Sequence, residues 1–214
     1  MIKLYGASVS PYVRKVMVAL AEKALPYEHV PVGPGDKSAA FLEASPLGKI
    51  PALSDGDFAI ADSTAIATYL DEAYPANRLY LQTPKERAQV VFFDKFGDTL
   101  MTPTAGRIFF QRIGLPRFFG GVTDEAVVTT TIEKDLPPIL NHLTRLLGDK
   151  AWLMGDRFTM ADISCVCGFV NAKYAGWEPD AAQYPALTAW IARTLARPSF
   201  AKALAADRAM FPAQ

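Results

Sequence analysis

Cysteine and histidine are scarce in this chain, which has two of each among 214 residues. Cys165 and Cys167 lie two apart in an apolar stretch. On a helix such residues point to different faces and make poor disulfide partners. They read as small buried side chains in a reducing compartment, the cytoplasm. His29 and His142 are far apart and lack metal-ligand spacing, so no metal is expected. An excess of one charge is also missing. Lys plus Arg number 22 and Asp plus Glu number 22, with no long basic run. That argues against nucleic acid or an anionic membrane as a partner. The longest apolar run, 163–170, is far below the roughly 20 residues that span a bilayer. The opening MIKLYGASVS carries no long apolar signal core, so export is not expected.

What is present is a globular composition. Hydrophobic residues make up 50% and charged residues 21%, with 16 prolines, enough for a sizeable core and two small domains. Residues 2–5 read as a strand, 6–10 as a loop, and Pro11 as the first residue of a helix, where its missing N–H costs nothing. Val13, Val16, Met17, Leu20 and Ala21 form that helix's apolar stripe. A strand at 27–32 completes a βαβ unit. A short helix at 38–44, a hairpin of 51–54 with 58–60, and a helix at 62–74 follow. The strands then stop. Helices are expected at 85–112 with a kink near Pro103, and at 124–147 with a break or bend at Pro137-Pro138. Further helices are expected at 159–174, 184–195 and 199–206. Thr159 with Asp162 three residues on is a capping box, which assigns Asp162 to folding.

The most informative stretch is Ser45-Pro46-Leu47-Gly48-Lys49-Ile50-Pro51, followed by Asp62-Ser63. A proline with no ladder donor belongs at a strand's first residue or on an edge. An X-Pro bond can be cis at low cost, and a cis Ile50-Pro51 bond is expected, turning the Ile50 backbone outward as a docking edge. The helix that opens after Asp62 offers free N–H groups and a positive dipole end, which suit a carboxylate. Asp62 can hold an ammonium and Ser63 a carboxylate, so the pair reads an α-amino acid head group.

These residues resemble the glutathione-binding half of the cytosolic glutathione transferases. The resemblance runs the whole chain and is greatest to serine-type members, bacterial ones with a theta- or tau-like N-terminal motif. It implies an α/β thioredoxin-like domain over 1–76 and an all-α domain over 85–214 that supplies a hydrophobic acceptor site. Glutathione would be the co-substrate, bound by Lys37, Lys49, Ile50, Pro51, Asp62 and Ser63. A cytoplasmic homodimer acting on a hydrophobic electrophile is implied, with no metal, nucleic acid or membrane partner. A glutathione-dependent isomerase or dehalogenase, and a ligand-binding stress protein without turnover, are the alternatives.

The chemistry centres on Ser10 in Ser8-Val9-Ser10-Pro11-Tyr12-Val13-Arg14-Lys15. Ser10 stands immediately before the first helix, where thioredoxin-like redox proteins carry a cysteine. The thiol must therefore arrive with the ligand. Lowering a thiol pKa from about 8.5 by about two units takes roughly 2.7 kcal/mol. A hydrogen bond to a charged group supplies about 1.5–3 kcal/mol and the helix dipole about 0.3–1. Ser8 and Tyr5 are the rival hydroxyls. Arg14 either neutralises charge near the site or faces solvent. Tyr12 and Phe109 are the candidate acceptor-site side chains, from an apolar pool with Phe92, Phe93, Phe96, Met101, Phe110 and Trp177.

Overall fold

The apolar strand at the start of the chain organises the first unit. In the computed structural model, which describes residues 1–207, β1 (Ile2–Tyr5) is an inner strand of a four-stranded sheet ordered β2-β1-β3-β4. β2 (Tyr27–Val30) runs parallel to β1, while β3 (Ala52–Asp55) pairs antiparallel on its other side and β4 (Phe58–Ala61) antiparallel to β3. α1 (Pro11–Glu22) makes the expected crossover between β1 and β2. α2 (Ala39–Ala44) precedes the hairpin and α3 (Ser63–Ala73) follows it. Tyr5 pairs with both Val30 and Ala52. The end of β1, where the 6–10 loop leaves, is thus level with the residue after Pro51.

Every residue of α1 from Val13 to Leu20 is buried, so its apolar stripe is only part of a fully covered helix. α3 and the C-terminal α11 (Pro198–Ala205) pack against it. Three charged residues of α1 and its C-cap Lys23 are satisfied by distant parts of the same unit. Arg14 Nη2 donates to Asp207 Oδ2 at 2.7 Å, and Lys23 Nζ to Asp71 Oδ1 at 3.1 Å. Glu22 accepts from Arg197 Nε at 2.7 Å and from Ser199 Oγ at 2.5 Å. Lys15 reaches the start of α3. The expected second domain ran to residue 214. In the structure the second unit is 84–196, and residues 197–207 group with 1–83 because these pairs fasten them to α1, while the expected stretch 208–214 lies outside the described residues.

The second unit is helical. α4 (Pro84–Phe96), α5 (Thr102–Phe109) and α6 (Leu115–Phe119) form one helical run joined by π-helical turns at Gly97–Met101 and Phe110–Gly114. α7 (Glu125–Thr130) joins α8 (Leu136–Leu147) through a third π turn, Thr131–Asp135. At the prolines the helical runs continue through these widened turns. In each, the residue before a proline bonds five back: Thr102 to Gly97, Leu115 to Phe110, Leu136 to Thr131. A proline has no N–H for the four-back bond and its ring crowds that carbonyl, and a π turn just ahead relieves both. α9 (Met160–Tyr174) is the core helix, buried from Met160 to Ala172 and packed on α4, α5 and α10 (Pro185–Leu195). Gly97 lets α9 approach closely, since a Cβ there would lie 2.6 Å from the Ser164 carbonyl carbon. The capping box is present. Asp162 also accepts from Leu153 N and Trp190 Nε1, both at 2.9 Å. Burial pushes its carboxyl above the usual carboxylate range against the pull of those donors.

Candidate active site

The site loops of the first unit meet at Gly6. Its φ is +149°, and a Cβ there would fall 2.5 Å from Val13 Cγ2 and 3.3 Å from Ile50 Cβ. Only glycine lets the β1–α1 loop pass between α1 and the 45–51 loop. Gly6 N donates to Val30 O at 3.1 Å, and His29 Nε2 donates to Gly6 O at 2.8 Å, which gives His29 a structural partner. Ser10 N donates to Ala7 O at 3.0 Å. Ser10 is the N-cap of α1 and Pro11 follows it. Its Oγ accepts from Val13 N at 3.5 Å, a long cap bond that leaves the hydroxyl proton for another acceptor. The first turn of α1 holds no acidic residue, so no carboxylate of that turn competes for its positive end.

The rival hydroxyls differ in position. Tyr5 is a core residue clustered with Val32, Phe41, Ala44 and Ala52, its hydroxyl 3.4 Å from Ser54 Oγ. Ser8 is half-buried on the same loop as Ser10. Arg14 is fully buried against Asp207 and also donates to Val9 O at 3.4 Å, so it does not face solvent.

The second loop is fastened by a serine that the sequence reading did not single out. Gly48 N donates to Ser45 O at 2.8 Å, closing a turn with Pro46 in its second place. Ser45, 1% exposed, accepts from Lys49 N at 2.9 Å and donates to Lys49 O at 2.7 Å. A serine three residues before a glycine, with a proline directly after the serine, is the signal that could have found it. The Ile50-Pro51 bond is cis. A cavity of about 510 Å³ opens here, in the range of small-molecule sites. Ala7, Gly33, Lys37, Leu42, Gly48 and Ile50 are among its lining. Of the predicted ligand residues, Lys37 and Ile50 line it, whereas Ser10, Lys49, Pro51, Asp62 and Ser63 do not. Lys37 and Lys49 are both exposed.

Pro51 leads directly to the third component. Asp62 N donates to Pro51 O at 3.3 Å. Asp62 has φ +82° and ψ 126°, a sparsely populated conformation of the kind that concentrates at functional sites. Its Oδ1 accepts from Thr64 N at 2.9 Å and Ala65 N at 3.0 Å, capping α3. Ser63, the first residue of α3, is buried. Lys15 Nζ, itself 1% exposed, donates to Ser63 Oγ at 3.3 Å and to Thr64 Oγ1 at 3.1 Å. The sequence reading gave Lys15 no role. Its signal was a cation inside an apolar helix, a placement that demands partners.

Of the apolar pool, Phe93, Phe96 and Met101 are core residues of the second unit. Phe92 and Phe110 are exposed, and Phe109 at the end of α5 is half-buried. Tyr12 is half-buried on α1. His142 lies on Phe96, ring centroids 5.6 Å apart, and accepts at Nδ1 from Arg145 Nη2 at 2.8 Å. Among the described residues no three His, Cys, Asp or Glu side chains gather as a metal cluster, and no helix is long and apolar enough to cross a membrane.

The family model described as glutathione S-transferase, N-terminal domain, matches residues 4–78, and that described as glutathione S-transferase, C-terminal domain, matches residues 120–207. A glutathione S-transferase of Hyoscyamus muticus is 33% identical over 94% of this chain and 97% of its own length. A glutathione S-transferase from Rhodospirillum rubrum has a similar structure, with TM-score 0.86 and 32% identity over 95% of this chain and 92% of that one. The structure of a glutathione S-transferase I bound with lactoylglutathione superposes with TM-score 0.86 and 30% identity, over 96% of this chain and 99% of that one.

Proposed function

The chain belongs to the glutathione S-transferase family, and within it we propose that Ser10 holds the glutathione sulfur as a thiolate while Asp62 and Ser63 hold the γ-glutamyl head. It is a glutathione-conjugating enzyme. The carrying observation is the meeting of three backbone features around Gly6 and Pro51: the N-terminus of α1, the cis Ile50-Pro51 bond, and the N-terminus of α3.

Glutathione is an extended tripeptide with a carboxylate at each end. Ile50 presents its backbone to the cysteinyl unit, in the manner of an added strand. Lys37 and Lys49 serve the glycyl carboxylate from the cavity rim. Asp62, with Oδ1 committed to the cap, offers Oδ2 to the ligand's ammonium. Ser63 and the α3 N-terminus take the adjacent carboxylate. This leaves the sulfur beside Ser10, whose O–H donates to it more strongly as the thiolate than as the thiol. The thiolate attacks an electrophilic carbon of a hydrophobic acceptor. A carbon–sulfur bond forms and the leaving group departs with its electron pair. Tyr12 and Phe109 are proposed for the acceptor site. A homodimer is part of the same proposal, with the exposed Leu47 and Phe58 among the candidates for its contact surface. Cys165 and Cys167, both buried and not joined in a disulfide, fit the cytoplasm.

Turnover of a chlorinated nitroaromatic tests the assignment of Ser10. Ser10→Ala lowers kcat about 10- to 100-fold, the equivalent of a charged hydrogen bond, and leaves glutathione affinity within a few-fold. Unchanged turnover at saturating glutathione would transfer the role to Ser8.

A further inference from the structure

We propose that Lys15 is a positioning residue of the glutathione site, setting Ser63 and Thr64 as donors toward the ligand's γ-glutamyl carboxylate. The proposal rests on Ser63 binding that carboxylate.

The observation is a buried cation aimed at two hydroxyls. Lys15 is 1% exposed, and its Nζ lies 3.3 Å from Ser63 Oγ and 3.1 Å from Thr64 Oγ1. An ammonium has donors and no acceptor. Toward Lys15 both hydroxyls must therefore accept. A hydroxyl that accepts from a cation donates its own proton more strongly, and here it donates away from Lys15. Ser63 is the first residue of α3 and Thr64 the second, so both sit at the positive end of the helix dipole, where Thr64 N and Ala65 N already donate to Asp62 Oδ1. Lys15 places its amino group behind that turn from inside the unit, as a donor to both hydroxyls that solvent does not reach. The cation does not touch the ligand. It acts through Ser63, on one end of the tripeptide, while Ser10 acts on the sulfur.

This separation makes the role measurable. Calorimetry on the full chain compares glutathione with 4-aminobutyryl-cysteinylglycine, which lacks only the γ-glutamyl α-carboxylate. The wild-type protein binds glutathione more tightly. In Lys15→Met the affinity for glutathione falls at least ten-fold and that for the analogue by less than three-fold, so the preference shrinks. Lys15→Arg retains most of it, and a thermal melt of each variant accompanies the titrations. Should Lys15→Met not fold, Lys15→Gln carries the same comparison. A wild-type preference that survives in Lys15→Met, or an equal loss for both ligands, overturns the proposal while leaving Ser63 in place. A wild-type protein that binds both ligands equally removes Ser63 from the carboxylate and overturns the proposal with it.

Discussion

At Asp62 one carboxylate oxygen accepts from both Thr64 N and Ala65 N, and the backbone is held at φ +82°. The cap and the proposed ammonium contact therefore use different oxygens of one side chain. Two substitutions separate them. Asp62→Ala removes both, costing about 1 kcal/mol of stability from the lost cap and raising the glutathione KM more than it lowers kcat. Asp62→Asn keeps an oxygen for the cap and loses the charge. It should melt within a few degrees of wild type yet share the raised KM. Equal affinities in all three proteins would remove Asp62 from the ligand. At this scale much was legible in the sequence. Ser10 before Pro11, and Asp62-Ser63 after a proline-led strand, are local patterns whose partners lie within a few residues. Lys15 was not legible, because Ser63 and Thr64 lie 48 and 49 positions away and a lysine after an arginine reads as solvated.

Among the elements, α9 and the run from α4 to α6 show what proline and glycine do in the second unit. Pro103 and Pro137-Pro138 read from the sequence as points of kink, bend or break, and Pro116 is a third proline inside a helical run. The structure keeps the helical run going by bonding the preceding residue five back in all three places. A proline signals that the four-back bond is missing, but whether the chain breaks or widens depends on packing that no local pattern encodes. Gly97 opens the first π turn and also faces the α9 backbone, with Ser164 C and O at 2.6 and 2.7 Å from where a Cβ would sit. Gly97→Ala must push α9 from α4. Overpacking of this kind costs roughly 1–3 kcal/mol, which lowers the melting temperature by roughly 3–10 °C in a chain of this length. A melt by circular dichroism at neutral pH checks it, and an unchanged midpoint would contradict the close approach. The strands, the βαβ order and the capping box were all legible, since each follows from a short apolar period or a pair three residues apart.

For the whole molecule, the charges of α1 tie the start of the chain to its far end, and that is why the boundary of the second domain escaped the sequence reading. Arg14 meets Asp207 across 193 positions, and Glu22 meets Arg197 and Ser199 across 175 and 177. Burial raises the Glu22 carboxyl, but the hydrogen bonds from Arg197 and Ser199 and the Arg197 charge outweigh it, so the net shift is downward from 4.5. The unfolded chain then binds more protons at Glu22 than the folded one as pH falls below that value. Stability from this group is complete above 4.5 and is lost as pH drops through the lower folded value. Glu22→Gln should therefore melt below wild type at pH 7, and the gap should narrow in acid. A gap independent of pH would detach Glu22 from Arg197. On the proposed reading, fold and linkage together hold a tripeptide so that its sulfur lies at the start of α1. The most direct measurement is the pH titration of thiolate absorbance for glutathione bound to wild type and to Ser10→Ala. Bound to wild type, the thiol should titrate about two units below its free value of about 8.5, and in Ser10→Ala it should return upward by at least a unit. A bound thiol that titrates at its free value, or identically in both proteins, would contradict the account.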